Sequence, residues 1–196
     1  MNPIILGATI MALVTQSGPE TLPIGAKAPD FVNLPATDGK SYSLSSFAGA
    51  KAVVISFTCN HCPYAQAYED RFIALAREFS PKGVAFVAIN SNDALSYPED
   101  GFEKMKVRAQ EKALPFPYLR DENQSVAKAY GAVCTPHIFL FNGERKLVYE
   151  GRIDDNWKNP DAVKSKDLRN AIRNVLAGEP VRVPNTNPMG CSIKWK

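Results

Sequence analysis

The run Ala52-Val53-Val54-Ile55-Ser56-Phe57-Thr58-Cys59-Asn60-His61-Cys62-Pro63-Tyr64 decides how the rest of the chain is read. Its first six residues suit a buried strand, and the stretch from Tyr64 to Ala76 reads as a helix. Two thiols therefore fall at a strand-to-helix junction. There the first amide N–H groups of the helix lack partners and its dipole is positive, which favours a thiolate over a thiol. Cys59 reads as the better placed of the two, and His61 adds a second stabilising charge when protonated. Pro63 suits a first helical turn because it has no N–H to leave unpaired. Cys62, one turn along, is placed to attack a mixed disulfide formed at Cys59 and release the product.

Two plainer readings compete. Half of a zinc site needs a second ligand pair at short spacing, and Cys134, Cys191 and His137 are scattered singly, so no metal is expected. Cysteines also serve as small core residues. Two of them flanking a histidine at a helix start argue against that here. The chain has 196 residues, 45% hydrophobic and 22% charged, enough for one domain with a sizeable core. Its net charge of +3 comes from intermixed signs, without a basic stripe, so nucleic acid is not an expected partner. Four cysteines are too few to scaffold a fold of this length by disulfides.

The apolar stretch from Pro3 to Val14 is too short to span a bilayer, and no Lys or Arg precedes Lys27, as a signal peptide would require. A cytoplasmic, non-membrane location is the expectation, with export to the periplasm as the alternative if residues 1–17 act as a signal. Three segments follow: an extension over 1–21, a domain over 22–178 and a tail over 179–196 that packs on the domain.

Within the domain, Ala28 to Leu34 and Lys40 to Leu44 flank Thr37-Asp38-Gly39, a hairpin signal. The cysteine helix is expected from about His61 to Phe79, ended by Pro81-Lys82-Gly83. The apolar run Val84 to Asn90 predicts an interior parallel strand. Pro98-Glu99-Asp100 and the polar Glu103 to Lys112 predict an inserted, mostly exposed helix whose charges form a solvated face. A helix over Gln124 to Tyr130 stops at Gly131. Val133-Cys134-Thr135-Pro136-His137 then enters the strand Ile138 to Phe141, where a proline is tolerated only at the start or an edge. Asn142-Gly143 turns into Leu147 to Gly151, and Asp167 to Leu176 predicts a closing amphipathic helix. There is no internal repeat or low-complexity tract.

This order resembles the thioredoxin fold: an α/β protein with a central mixed sheet flanked by helices, here with an N-terminal β-hairpin and an inserted helix. Gly25-x-x-Ala28-Pro29-Asp30-Phe31 and Asp38-Gly39-Lys40 with Ser43-Leu44 resemble the redoxin branch that includes the alkyl hydroperoxide reductase/thiol-specific antioxidant family. Cys59 to Tyr64, Ala88 to Asp93, Tyr97 to Asp100, Pro115 to Leu119 and Gly190 to Lys196 are similar to bacterial thioredoxin-like redoxins. The resemblance covers about Leu22 to the end.

It implies a thiol-disulfide oxidoreductase with catalytic Cys59 and Cys62, supported by His61, Thr135 and a cis Pro136 packed against the pair. The backbone of Thr135 would be free to pair with an extended substrate. Substrates would be disulfide-containing proteins or small thiols, with an electron donor not identified by the sequence, no organic cofactor, and a monomer or homodimer as the assembly. Thr58, Cys134 and His137 are further candidates at the site, although Cys134 also reads as a buried core residue and His137 as an ordinary strand residue.

Two departures stand out. The dipeptide between the cysteines is Asn-His, where the thioredoxin prototype has Gly-Pro. Ala52 to Thr58 contains no acid, so the usual proton acceptor for Cys62 is missing or replaced, by His61 or water. A thiol peroxidase is the alternative enzyme, but such enzymes use T-x-x-C and here Thr58 is one position off. A redox-sensing or metal-binding module using the cysteines as ligands is a third.

Overall fold

The structure, a computed structural model, describes residues 20–196. The apolar stretch before Val14, and with it the choice between cytoplasm and export, lies outside the described residues. A two-residue ladder, β1 (Leu34–Pro35) against β2 (Ser41–Tyr42), forms the N-terminal hairpin. It is shorter than its flanking extended runs because Ala36 leaves the ladder to bridge Leu119. Gly39 turns the chain with φ +82°.

The long elements follow the apolar pattern. They are β3 (Ala52–Phe57), α1 (Pro63–Phe79), β4 (Val84–Asn90), α2 (Phe102–Glu111), β5 (Tyr118–Arg120), α3 (Ser125–Tyr130), β6 (Cys134–Thr135), β7 (His137–Asn142), β8 (Leu147–Gly151), α4 (Asp167–Leu176) and β9 (Cys191–Ser192). The sheet runs β5-β4-β3-β7-β8. Its β3, β4 and β5 are parallel, while β7 and β8 are antiparallel to their neighbours. The mixed sheet of a thioredoxin-like α/β fold is therefore present, with α2 inserted between β4 and β5.

Both faces of β3 are covered, which is why it reads as an unbroken apolar run. Val53, Ile55 and Phe57 face one core with Phe139, Tyr130 and Phe141. Val54 faces the other, with Tyr68, Phe72 and Phe79 of α1 and Leu168 and Ile172 of α4. The period-2 alternation of the strands thus divides the interior into two layers. Gly131 ends α3 at φ +61°, and a side chain there would meet the Glu20 carbonyl oxygen at 2.1 Å. With both layers filled, the carboxyl end of β3 delivers Thr58 and Cys59 to the start of α1.

The inserted segment corrects one expectation. It is not a solvated face alone: Arg108 of α2 makes two bonds to Glu69 of α1, at 2.8 and 3.1 Å, and Lys112 reaches Asp70. Asp100, just before α2, is fully buried.

Candidate active site

A residue before proline is pushed out of helical backbone. Cys62 is accordingly extended (φ −70°, ψ 124°) and serves as the N-cap of α1, so the helix begins two residues later than His61. This shifts the polar end of the helix from Cys59 to Cys62. The amide of Ala65 points at Cys62 Sγ, whereas Cys59 receives the amide N–H of Cys62. The two cysteines pack together in one small buried cluster with Ala65. Cys59 Sγ also lies 3.2 Å from Thr135 Oγ1, and Cys62 Sγ donates to the Thr135 carbonyl at 3.1 Å. The Thr135–Pro136 bond is cis.

Two thiols in contact lose their protons in succession. The proximity of Cys59 draws Cys62 down to about 4, with burial opposing and the Cys191 thiol and the amides of Ala65 and Cys191 assisting. The same proximity, followed by burial and the charge of Asp100, pushes Cys59 far up, against the pull of the Thr135 hydroxyl and the Cys62 amide. This corrects the expectation that the helix would favour the thiolate at Cys59 alone. At neutral pH the reduced pair holds one proton and one negative charge between its two sulfurs.

His61 and Asp100 form the second part of the site. The His61 Nδ1–H donates to Asp100 Oδ2 at 2.6 Å, and the ring stacks on Tyr97 at 5.2 Å. Asp100 is held by two more donors, the Asn60 amide at 2.7 Å and Asn92 Nδ2 at 2.8 Å. A buried carboxylate needs such a set of donors to remain charged. The inserted segment, which sequence reading placed on an exposed helix, thus brings a buried acid to the site, beside His61 and acting on Cys59 rather than standing behind Cys62. The Asn-His dipeptide explains itself here: Asn60 donates its side-chain amide to the Glu99 carbonyl and accepts from Tyr118 Oη, while His61 meets the carboxylate.

Ligand-type atoms of Cys59, His61 and Asp100 lie within 4.8 Å of one another. The donor types suit zinc, but two ligands at zinc bond lengths of about 2.0–2.1 Å in a tetrahedron stand roughly 3.3 Å apart. The 2.6 Å between Nδ1 and Oδ2 is hydrogen-bond spacing.

Cys59 opens onto a small cleft of about 30 Å³ lined by Thr58, Phe72, Phe116, Tyr118, Pro136 and Glu69. It is 4% exposed, and Cys62 is completely covered. Thr58 holds the strand end through its amide to the Ile89 carbonyl. His137 is next to Pro136 in sequence, but its ring turns away, with Nδ1 accepting from the Val133 amide and Nε2 donating to Glu150 at 2.8 Å. Cys134 donates to the Pro136 carbonyl at 3.6 Å, and burial raises its thiol to about 12. It is a buried residue of β6, as the plainer sequence reading had it.

The C-terminal tail holds what sequence reading missed. Its β9 pairs antiparallel with β6, with Thr135 opposite Cys191. The Thr135 strand edge, expected to be free, is thus occupied by the chain itself. Cys191 packs on the Cys59–Cys62 cluster. The available signals were the resemblance of Gly190 to Lys196 to the redoxins and a tail expected to pack on the domain, but spacing alone does not connect Cys191 to Cys62.

The chain was compared with known proteins. Thiol-disulfide oxidoreductase ResA of Bacillus subtilis (strain 168) is 30% identical over 143 residues, 73% of this chain and 74% of that protein. Chloroplastic peroxiredoxin Q of Populus jackii is 30% identical over 105 residues, 54% of this chain and 46% of that protein. Among solved structures, an uncharacterized conserved protein from Geobacillus kaustophilus superposes with a TM-score of 0.84 at 46% identity, covering 89% of this chain and 93% of its own. The thioredoxin domain of a thiol-disulfide oxidoreductase from Bacteroides vulgatus shares the fold, with a TM-score of 0.57 at 22% identity over 66% and 89% of the two chains. The family model described as Redoxin matches residues 23–171. The chain therefore belongs to the Redoxin family.

Proposed function

We propose that the protein is a thiol-disulfide oxidoreductase whose redox couple is Cys59 and Cys62. The observation that carries this is the contact of the two sulfurs at the N-terminus of α1, with Cys59 opening onto the cleft and Cys62 sealed behind it. Access makes Cys59 the attacking sulfur. The reduced pair rests with its charge on Cys62 and its proton on Cys59. As Cys59 attacks, that proton passes to Cys62, which is placed to donate to the Thr135 carbonyl, while the Thr135 hydroxyl and the Cys62 amide hold the Cys59 sulfur.

In the reducing direction, Cys59 attacks one sulfur of a substrate disulfide and a mixed disulfide forms, with the other substrate sulfur leaving as a thiolate. Cys62 then loses its proton and attacks Cys59 Sγ. The Cys59–Cys62 bond forms, the substrate thiol departs, and an external dithiol resets the pair. His61, oriented by Asp100, stands beside Cys59 as the group able to take or return a proton. Substrates are proteins or small molecules bearing disulfides or thiols. An extended protein substrate that pairs with Thr135 has to displace β9, so small disulfides suit the site as it stands.

Replacing Cys62 with Ser tests the roles. Cys59 is then expected to accumulate mixed disulfides, with glutathione or with a partner, because nothing resolves them. Equal trapping in a variant that also lacks Cys59 contradicts the assignment.

A second reading, a thiol peroxidase, is favoured by the partial similarity to peroxiredoxin Q. Peroxide activation in such enzymes calls for an arginine beside the sulfur, and among the described residues lining the cleft there is none. Rapid peroxide consumption with a dithiol donor, without reduction of a model protein disulfide, would reverse the order of the two readings.

A further inference from the structure

The tail is fastened on both sides of Cys191, so this thiol is a placed one. On its N-terminal side Gly190 lies against the Thr135–Pro136 peptide, where a side chain would meet the Thr135 carbonyl oxygen at 2.2 Å. On its C-terminal side Ile193 is buried in the core with Phe57 and Tyr130, and its amide donates to the Val133 carbonyl at 3.2 Å. Lys194 accepts from the Asp93 amide at 2.8 Å and from Gln124 Nε2 at 2.8 Å, and its own amide donates to Asn92 Oδ1 at 2.9 Å. Between these anchors Cys191 stands opposite Thr135 and packs on the Cys59–Cys62 cluster, and unlike Cys59 it does not line the cleft.

We propose that Cys191 is a third redox thiol, an internal partner that exchanges with the oxidised pair at Cys62. This inference rests on the Cys59–Cys62 couple proposed above. Deprotonated Cys191 Sγ attacks Cys62 Sγ of the Cys59–Cys62 disulfide. The Cys62–Cys191 bond forms and the Cys59–Cys62 bond breaks. Cys59 leaves as a thiolate and accepts the proton that Cys191 released. Nothing is gained or lost in the exchange: the disulfide moves from the cleft side of Cys62 to the tail side.

Charge accounts for when this happens. In the reduced protein Cys191 is held up at about 11, first by burial and then by the proximity of Cys62 and its negative charge, with Lys194 opposing. Once Cys62 is in a disulfide it has no charge, and that part of the barrier to ionising Cys191 is gone. The exchanged disulfide is more open to an external reductant, because Cys191 is only partly buried whereas Cys59 and Cys62 are buried. Attack on Cys191 Sγ then expels Cys62, whose low proton affinity makes it a good leaving group. Substrates would thus be handled from the cleft at Cys59, and reductant would enter from the tail at Cys191.

The test is a disulfide map under oxidised glutathione, with free thiols blocked in acid before digestion and mass spectrometry. The wild type shows whether Cys59–Cys62 forms. Absence of both the Cys59–Cys62 and the Cys62–Cys191 link would overturn the functional reading and the exchange with it. In a Cys59→Ser, Cys134→Ser variant, a monomeric Cys62–Cys191 link is the expected product. Finding Cys62 and Cys191 as free thiols, or each capped by glutathione, while the wild type forms its Cys59–Cys62 link, would overturn the inference and leave the functional reading standing.

A second measurement does not depend on that variant. Oxidised Cys191→Ser is expected to be reduced by glutathione about tenfold more slowly than wild type. Gly190→Val, which keeps the thiol but cannot seat the tail, is expected to slow by a similar factor. Unchanged rates in both variants would overturn the inference.

Discussion

At Cys62 the decisive fact is a sulfur at a helix N-cap packed with Cys59, whose proximity lowers its proton affinity. Each proton taken up with the two electrons of reduction shifts the potential by about 30 mV per pH unit. A pair that holds one proton is therefore expected to show a slope of about −30 mV per unit between roughly pH 5 and 8, measured by redox titration. Twice that slope would mean that both thiols are protonated. The same linkage acts on stability, since the folded value of Cys62 lies below its ordinary value of about 8.5. The stabilisation it gives the reduced fold is complete above that value and is lost as the pH falls toward 4. The urea midpoint of reduced protein should accordingly fall, relative to the disulfide form, as the pH drops through this window. At Asp100, replacement by Asn removes a buried charge that three donors surround. A loss of about 2 kcal/mol in urea unfolding is expected. Cys59 should also give up its proton more readily, because the Asp100 charge raises it. A Cys59 titration unmoved by Asp100→Asn would remove Asp100 from the site's electrostatics.

Elements were legible in the sequence to different degrees, for physical reasons. The strands β3, β4 and β7 are covered on both faces, so their apolar runs announce them, and α1 shows its buried face at Ala65, Tyr68, Phe72 and Phe79. The start of α1 was misplaced because Pro63 fixes Cys62 as extended, an effect of the residue before proline that apolar spacing does not register. The segment before α2 was misread because a polar stretch looks the same whether water or a histidine satisfies it: Asp100 meets His61 across 39 positions of sequence. On α1, Phe72 joins Phe86 and Phe116 edge to face while lining the cleft beside Cys59. Phe72→Ala is expected to cost 3–5 kcal/mol, about the usual range for a buried phenylalanine, in denaturant unfolding. A loss below about 1 kcal/mol would mean that the layer between α1 and the sheet closes up without it.

Over the whole molecule, the inserted segment and the tail act together on the pair. Asn92 bonds Asp100 with its side-chain nitrogen and Lys194 with its side-chain oxygen, so the group that orients His61 is joined to the strand that covers Cys62. No run of sequence shows this, because Cys62, Asp100 and Cys191 come from three separate stretches that only the folded chain assembles. Ile193→Ala, which empties one buried anchor of the tail, is expected to destabilise the protein by about 2–4 kcal/mol and to speed alkylation of Cys62. Unchanged protection of Cys62 in that variant would show that the tail does not seal it. The most direct test of the central claim is equilibration of the protein across a series of glutathione buffers at pH 7, followed by acid trapping and peptide mapping. One reversible two-electron transition, with Cys59 bonded to Cys62 at its oxidised end, is the expected result, whereas two sulfurs that remain separate thiols across the series, or a Cys59 that oxidises irreversibly without bonding Cys62, would contradict it.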